Sequence, residues 1–124
     1  MNLVISTTSD EPIYQQIYDQ LCAQIIKGEL ESDFCLPPIR TVAKELRISV
    51  ITVKRAWEEL ERAGFIYTMA GKGCFVATFP SDQLADKRLE LAQEKMAKEI
   101  EYYKSLGLSM PDVIALIKRV YGEQ

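Results

Sequence analysis

The stretch Leu36-Pro37-Pro38-Ile39-Arg40-Thr41-Val42-Ala43-Lys44-Glu45-Leu46-Arg47-Ile48-Ser49-Val50-Ile51-Thr52-Val53-Lys54-Arg55-Ala56-Trp57-Glu58-Glu59-Leu60 decides the fold. Its prolines are tolerated at a helix start, and Ile39, Val42, Ala43 and Leu46 then recur at helical spacing. Arg47-Ile48-Ser49 reads as a turn. Ser49 is placed to cap a following helix whose apolar face is Val53, Ala56, Trp57 and Leu60, and which stops at Gly64. Two short helices joined by three or so residues form a helix-turn-helix unit. Trp57 belongs to the packed stripe of that unit.

Downstream the texture changes. Phe65-Ile66-Tyr67-Thr68 and Cys74-Phe75-Val76-Ala77 are rich in β-branched and aromatic residues, and Met69 to Gly73 between them has hairpin length. A hairpin directly after a helix-turn-helix is a wing. Upstream, Ile13, Ile17, Leu21 and Ile25 recur every four residues, with Tyr14 and Tyr18 alongside. Ser9 and Asp10 offer cap oxygens to that helix, Pro12 suits its first turn, and Gly28 ends it.

From Ser81 onward the pattern is helical. Ala85, Leu89, Ala92, Met96, Ile100 and Tyr103 make one seam, which Gly107 breaks. Ser109-Met110-Pro111-Asp112 has the chemistry of a second helix start, followed by Val113, Ile114, Ile117, Val120 and Tyr121 as an apolar face. Two such helices cannot bury their seams alone. A second copy of the chain is the simplest cover, because closed two-fold dimers are the commonest oligomers. The expected dimer residues are Leu89, Met96, Ile100, Tyr103, Ile117, Val120 and Tyr121. The alternative is that both helices fold back on their own domain. Met96, Tyr102 and Tyr103 either pack in this seam or line an effector cavity.

The expected architecture is therefore mainly α with a small β-hairpin: a winged helix-turn-helix domain over residues 1–79, then a two-helix dimerisation region over 80–124. Net charge is −3, yet Pro37 to Arg55 carries five cations against Glu45, a local +4 on an acidic chain. Screening confines electrostatics to about 10 Å at ordinary salt, so a local cationic face still attracts phosphate. A helix-turn-helix sets the start of its second helix in the major groove. That makes Ser49, Val50, Thr52, Lys54 and Arg55 candidate contacts to double-stranded DNA. Ile51 joins Val50 as a second apolar residue at an exposed helix start. Arg40 lies in the first turn of the preceding helix, where phosphate is favoured. The wing turn Gly71-Lys72-Gly73 sets one cation between two residues that allow close backbone approach.

Other classes find little support. The chain has no histidine, which removes a His base and any mixed Cys/His zinc site, and it has neither a phosphate loop nor a nucleophile elbow. No enzyme activity, cofactor or metal is expected. Cys22, Cys35 and Cys74 are odd in number and widely spaced, which fits three small apolar fillers in a reducing compartment or, alternatively, a thiol sensor. There is no membrane-length apolar run and no secretory signal pattern, so the expected location is the cytoplasm. A winged helix serving as a protein-interaction module without specific DNA binding is the competing function.

Taken jointly, Pro12-Ile13-Tyr14-Gln15-Gln16-Ile17, Gly28-Glu29-Leu30, Leu36-Pro37-Pro38-Ile39-Arg40, Val53 to Leu60, Gly64-Phe65-Ile66-Tyr67 and Gly71-Lys72-Gly73-Cys74-Phe75-Val76 resemble the GntR family of bacterial transcription regulators. The short two-helix tail resembles that of the YtrA subfamily, in which the tail mainly dimerises. The resemblance implies a repressor of an operon, often one encoding an ABC transporter. It puts DNA contacts on Arg40, Ser49, Thr52, Arg55 and the Gly71–Gly73 turn. Three positions depart from the family pattern: Pro38 stands where serine is usual, Val50 where arginine is frequent, and Asp33 where glycine is usual. Pro38 removes a hydroxyl and an N–H from an expected phosphate contact, and Val50 alters the expected base preference. Aspartate tolerates left-handed backbone, so the loop at Asp33 is expected to survive.

Overall fold

A computed structural model describes residues 1–122; Glu123 and Gln124, the end of the expected tail region, lie outside the described residues. In order, the elements are α1 (Ile13–Ile26), α2 (Ile39–Leu46), α3 (Val50–Arg62), β1 (Ile66–Met69), β2 (Gly73–Val76), α4 (Ser81–Ser105) and α5 (Met110–Val120). The fold is mainly helical with one two-stranded antiparallel hairpin. Two compact units divide it, Met1–Leu84 and the residues from Ala85 on.

The core of the first unit follows from helical periodicity. Ile17, Leu21 and Ile25 of α1 are buried with Val53, Ala56, Trp57 and Leu60 of α3 and Val42 and Ala43 of α2. Phe65, fully buried after the C-terminus of α3, meets Tyr18 edge-on with ring centroids 6.4 Å apart and Phe79 at 5.4 Å. Burying one such side chain contributes about 1.5–3 kcal/mol. The expected turn is present: Arg47 caps α2 in left-handed backbone (φ 57°), and Ser49 Oγ accepts the backbone N–H of Thr52 at 3.1 Å to start α3.

The start of α1 differs from expectation. Pro12, not Ser9 or Asp10, is its N-cap and makes no side-chain cap bond. Its carbonyl accepts from Gln15 and Gln16 N–H at 3.0 and 3.1 Å, while Ser9 Oγ is taken by the Glu11 N–H. Proline loses nothing there, because the N-cap N–H has no helical partner in any case.

Two features were absent from the periodicity. Residues 2, 4 and 6 lie beside Gln24, Gln20 and Gln16 of α1, and each glutamine both accepts from and donates to one backbone unit: Asn2, Val4 and Ser6 respectively. Two residues of extended chain span about 6.8 Å and four residues of helix about 6 Å, so the two spacings nearly match. Secondly, the loop before α2 runs along the hairpin edge: Cys35 bridges to Phe75, with Asp33 N–H to Val76 O at 2.8 Å and Leu36 N–H to Cys74 O at 2.8 Å. Cys22 is buried, but Cys35 is exposed and Cys74 half-exposed. The reading of all three as core fillers is corrected accordingly. Strand pairing at the wing base, not core packing, sets the positions of Cys35 and Cys74.

In the second unit, α5 begins with a capping box in which Ser109 Oγ accepts from Asp112 N–H and Asp112 accepts from Ser109 N–H. Val113 is buried, whereas α4 has no buried residue over its 25 positions.

Candidate nucleic-acid interface

The helix-turn-helix and the hairpin carry the residues expected to meet DNA. Val50 and Ile51, at the start of α3, are 38% and 78% exposed. Ile51 leaves most of its side chain outside the core of its own unit, and Val50 a good part of it. Lys54 and Arg55 lie one turn further along, both exposed, while Val53 and Ala56 beside them are buried. Beyond them the exposed residues of α3 are mostly acidic, Glu58, Glu61 and the half-exposed Glu59, with Arg62 bound to Glu59 at 2.7 Å. Only the first two turns of α3 are therefore suited to phosphate.

Hydroxyls at this start are partly spent on the fold. Ser49 Oγ and Thr52 Oγ1 stand 2.8 Å apart, in addition to the cap bond. Arg40 is exposed on the first turn of α2, whose N-cap Pro38 provides no side-chain acceptor. The wing turn is built on left-handed glycines, Gly71 at φ 75° and Gly73 at φ 121°, and is closed by Lys72 N–H to Met69 O at 2.9 Å. A Cβ on Gly71 would meet nothing within 4 Å, so backbone conformation alone accounts for glycine there. Lys72 lies between them and is exposed.

One partner was missed from the sequence. The Arg55 guanidinium lies over the Tyr14 ring, 3.9 Å from its centroid, and Arg55 Nη2 donates to the Tyr14 hydroxyl at 3.2 Å. Tyr14, which runs alongside the α1 stripe, is half-buried and meets Arg55 of α3. Position alone could not have named Arg55 as the partner across 41 residues.

Among the described residues no His/Cys/Asp/Glu cluster has the makings of a metal site, and no helix is long and apolar enough to cross a membrane. In the second unit Leu89, Met96, Ile117, Val120 and Tyr121 are exposed, while Ile100 and Tyr103 are half-buried.

Against known proteins, residues 13–76 match the model of the bacterial regulatory proteins, gntR family. The chain belongs to that family. It is 33% identical over 112 residues to the HTH-type transcriptional regulator YhcF of Bacillus subtilis, covering 89% of this chain and 90% of YhcF. It is 28% identical to the transcriptional repressor YtrA of the same organism, covering 96% and 92% of the two chains. Among solved structures, a transcriptional antiterminator from Listeria monocytogenes superposes with a TM-score of 0.73 at 30% identity, covering 98% of this chain and 90% of its own. The near-complete overlap with YtrA makes this a YtrA-like GntR regulator.

Proposed function

We propose that the protein is a repressor that binds a two-fold symmetric operator as a homodimer. In this reading residues 1–79 form the DNA-binding domain and residues 80–124 the dimerisation region. The observation that carries the reading is the start of α3, where Val50, Ile51, Lys54 and Arg55 are all exposed beside a capped N-terminus. Apolar side chains there match thymine methyls, and the cations match phosphate or guanine edges. Arg40, Ser49 and Thr52 anchor the backbone from the turn, and Gly71, Lys72 and Gly73 bring the wing to an adjoining groove.

Dimerisation is supported by α4, a helix about 37 Å long with no buried side chain. Leu89, Met96, Ile100, Tyr103, Ile117, Val120 and Tyr121 would be covered by a second copy. The name of YtrA supports repression, and its subfamily suggests an ABC-transporter operon as the target.

Selection of bound duplexes from a random pool tests the reading. The expected product is an inverted repeat with half-sites about 34–36 Å apart or a multiple of that. Recovery of no enriched motif, with binding insensitive to salt, would overturn it in favour of a protein-docking module.

A further inference from the structure

The pairing of Tyr14 with Arg55 does more than hold α1 against α3. We propose that these two residues form a clasp for one backbone phosphate outside the bases read by α3, with Tyr14 both orienting the guanidinium and donating its own hydroxyl proton. The inference rests on the reading of the protein as a DNA binder.

Three observations support it. Arg55 is exposed and, among the described residues, has no ion pair: the two salt bridges present join Arg62 to Glu59 and Lys87 to Glu90. An unpaired surface guanidinium ordinarily samples many rotamers, and ordering it on binding costs entropy. Here the ring beneath it at 3.9 Å and the hydroxyl at 3.2 Å already fix its plane.

Secondly, the hydrogen bond runs from arginine to tyrosine, so the phenol accepts through a lone pair and its proton stays available. A guanidinium N–H and a phenol O–H side by side can meet two oxygens of one phosphodiester. Thirdly, the pair lies on the α1 flank of α3. Bases are reached from the helix start at Val50 and Ile51, and contacts to phosphate flanking a recognition helix fix register without reading sequence.

Tyr14 is thus a positioning residue with a direct contact of its own. Its conservative replacement separates the roles, because Tyr14→Phe keeps the ring under the guanidinium and removes only the hydroxyl.

The test measures affinity by fluorescence anisotropy on the selected operator and on a scrambled duplex, across a salt series. Tyr14→Phe is expected to weaken both duplexes by the same factor, about five- to tenfold, with an unchanged salt slope and melting temperature. Arg55→Gln is expected to lower the slope by about 0.9, the loss of one phosphate contact. Arg55→Lys keeps the charge, so it should keep the slope while losing affinity. Scanning single methylphosphonates along the operator should find one position per half-site that weakens the wild type strongly and Arg55→Gln much less. Equal binding by Tyr14→Phe and wild type overturns the clasp, as does weakening confined to the operator, which would signal base readout. If the wild-type chain binds no duplex at all, the DNA reading itself fails and the clasp falls with it.

Discussion

The Tyr67 hydroxyl donates to Asp33 Oδ1 at 2.6 Å, joining the first wing strand to the loop that runs along the second. Asp33 holds left-handed backbone (φ 66°) while its own N–H reaches Val76. The Tyr67 ring also stacks on Phe75 at 5.6 Å. Backbone conformation, side-chain acceptor and strand pairing thus meet at one aspartate, where the GntR pattern has glycine. The bond to Asp33 holds the Tyr67 phenol above its ordinary pKa of 10.0. Because the folded pKa is the higher one, the tie is complete below pH 10.0 and is lost as pH rises through the folded value. Absorbance titration of wild type against Tyr67→Phe is expected to show one phenol ionising late, and Asp33→Asn should bring it back toward 10.0. A Tyr67 that titrates normally in the wild type would contradict the bond. Asp33→Ala should be about 1 kcal/mol less stable than Asp33→Gly, since only alanine strains at positive φ.

The α5 capping box makes a second pH-sensitive element, of opposite sign. The Ser109 backbone N–H, and then its hydroxyl, hold the Asp112 carboxyl below its ordinary 3.8. Stability from this cap is present above pH 3.8 and is lost as pH falls through the lowered folded value. NMR titration of the Asp112 side chain should give a midpoint under 3.8. Ser109→Ala should raise that midpoint and cost about 1 kcal/mol of stability. No change on either readout would remove the box as a stabilising element.

The tail prediction concerns assembly. Leu89 and Met96 are 68% and 56% exposed, so Leu89→Glu and Met96→Glu should leave the protomer fold intact. Sedimentation should shift toward monomer for the double variant, and operator affinity should fall at least tenfold because two half-sites no longer bind as a unit. An unchanged dimer would move the interface elsewhere.

For the DNA face, Arg40→Ala and Lys72→Ala are each expected to weaken binding on any sequence and to lower the salt slope by about one phosphate. Val50→Arg should instead alter which base is preferred at one operator position. Selected motifs identical for Val50→Arg and wild type would take that residue out of base readout.

Much of this fold is legible locally. The stripes Ile17-Leu21-Ile25 and Val53-Ala56-Trp57-Leu60, the Ser49 cap and the Ser109–Asp112 box are signals carried within one or two helical turns. What escaped reading depends on partners far along the chain. Arg55 and Tyr14 meet only because α1 packs on α3, and Cys35 pairs with Phe75 only because the loop is drawn beside the wing. The α1 start is ambiguous in the sequence because several residues before Ile13 have capping chemistry, and backbone geometry selects Pro12 among them. Phe34-Cys35-Leu36, a short apolar run ahead of the prolines, was the available hint of the edge pairing.

The glutamine ladder has a practical corollary for handling the protein. Gln16, the rung nearest Tyr14, holds Ser6, whereas Asn2 is held by Gln24 near the opposite end of α1. Along the helix, Gln24 stands about 15 Å from Tyr14. A purification tag or fluorophore joined ahead of Met1 would therefore leave from the end of α1 remote from Arg55. Since the rungs are neutral amides, that tether should hold through the same salt titration that strips the protein from nucleic acid.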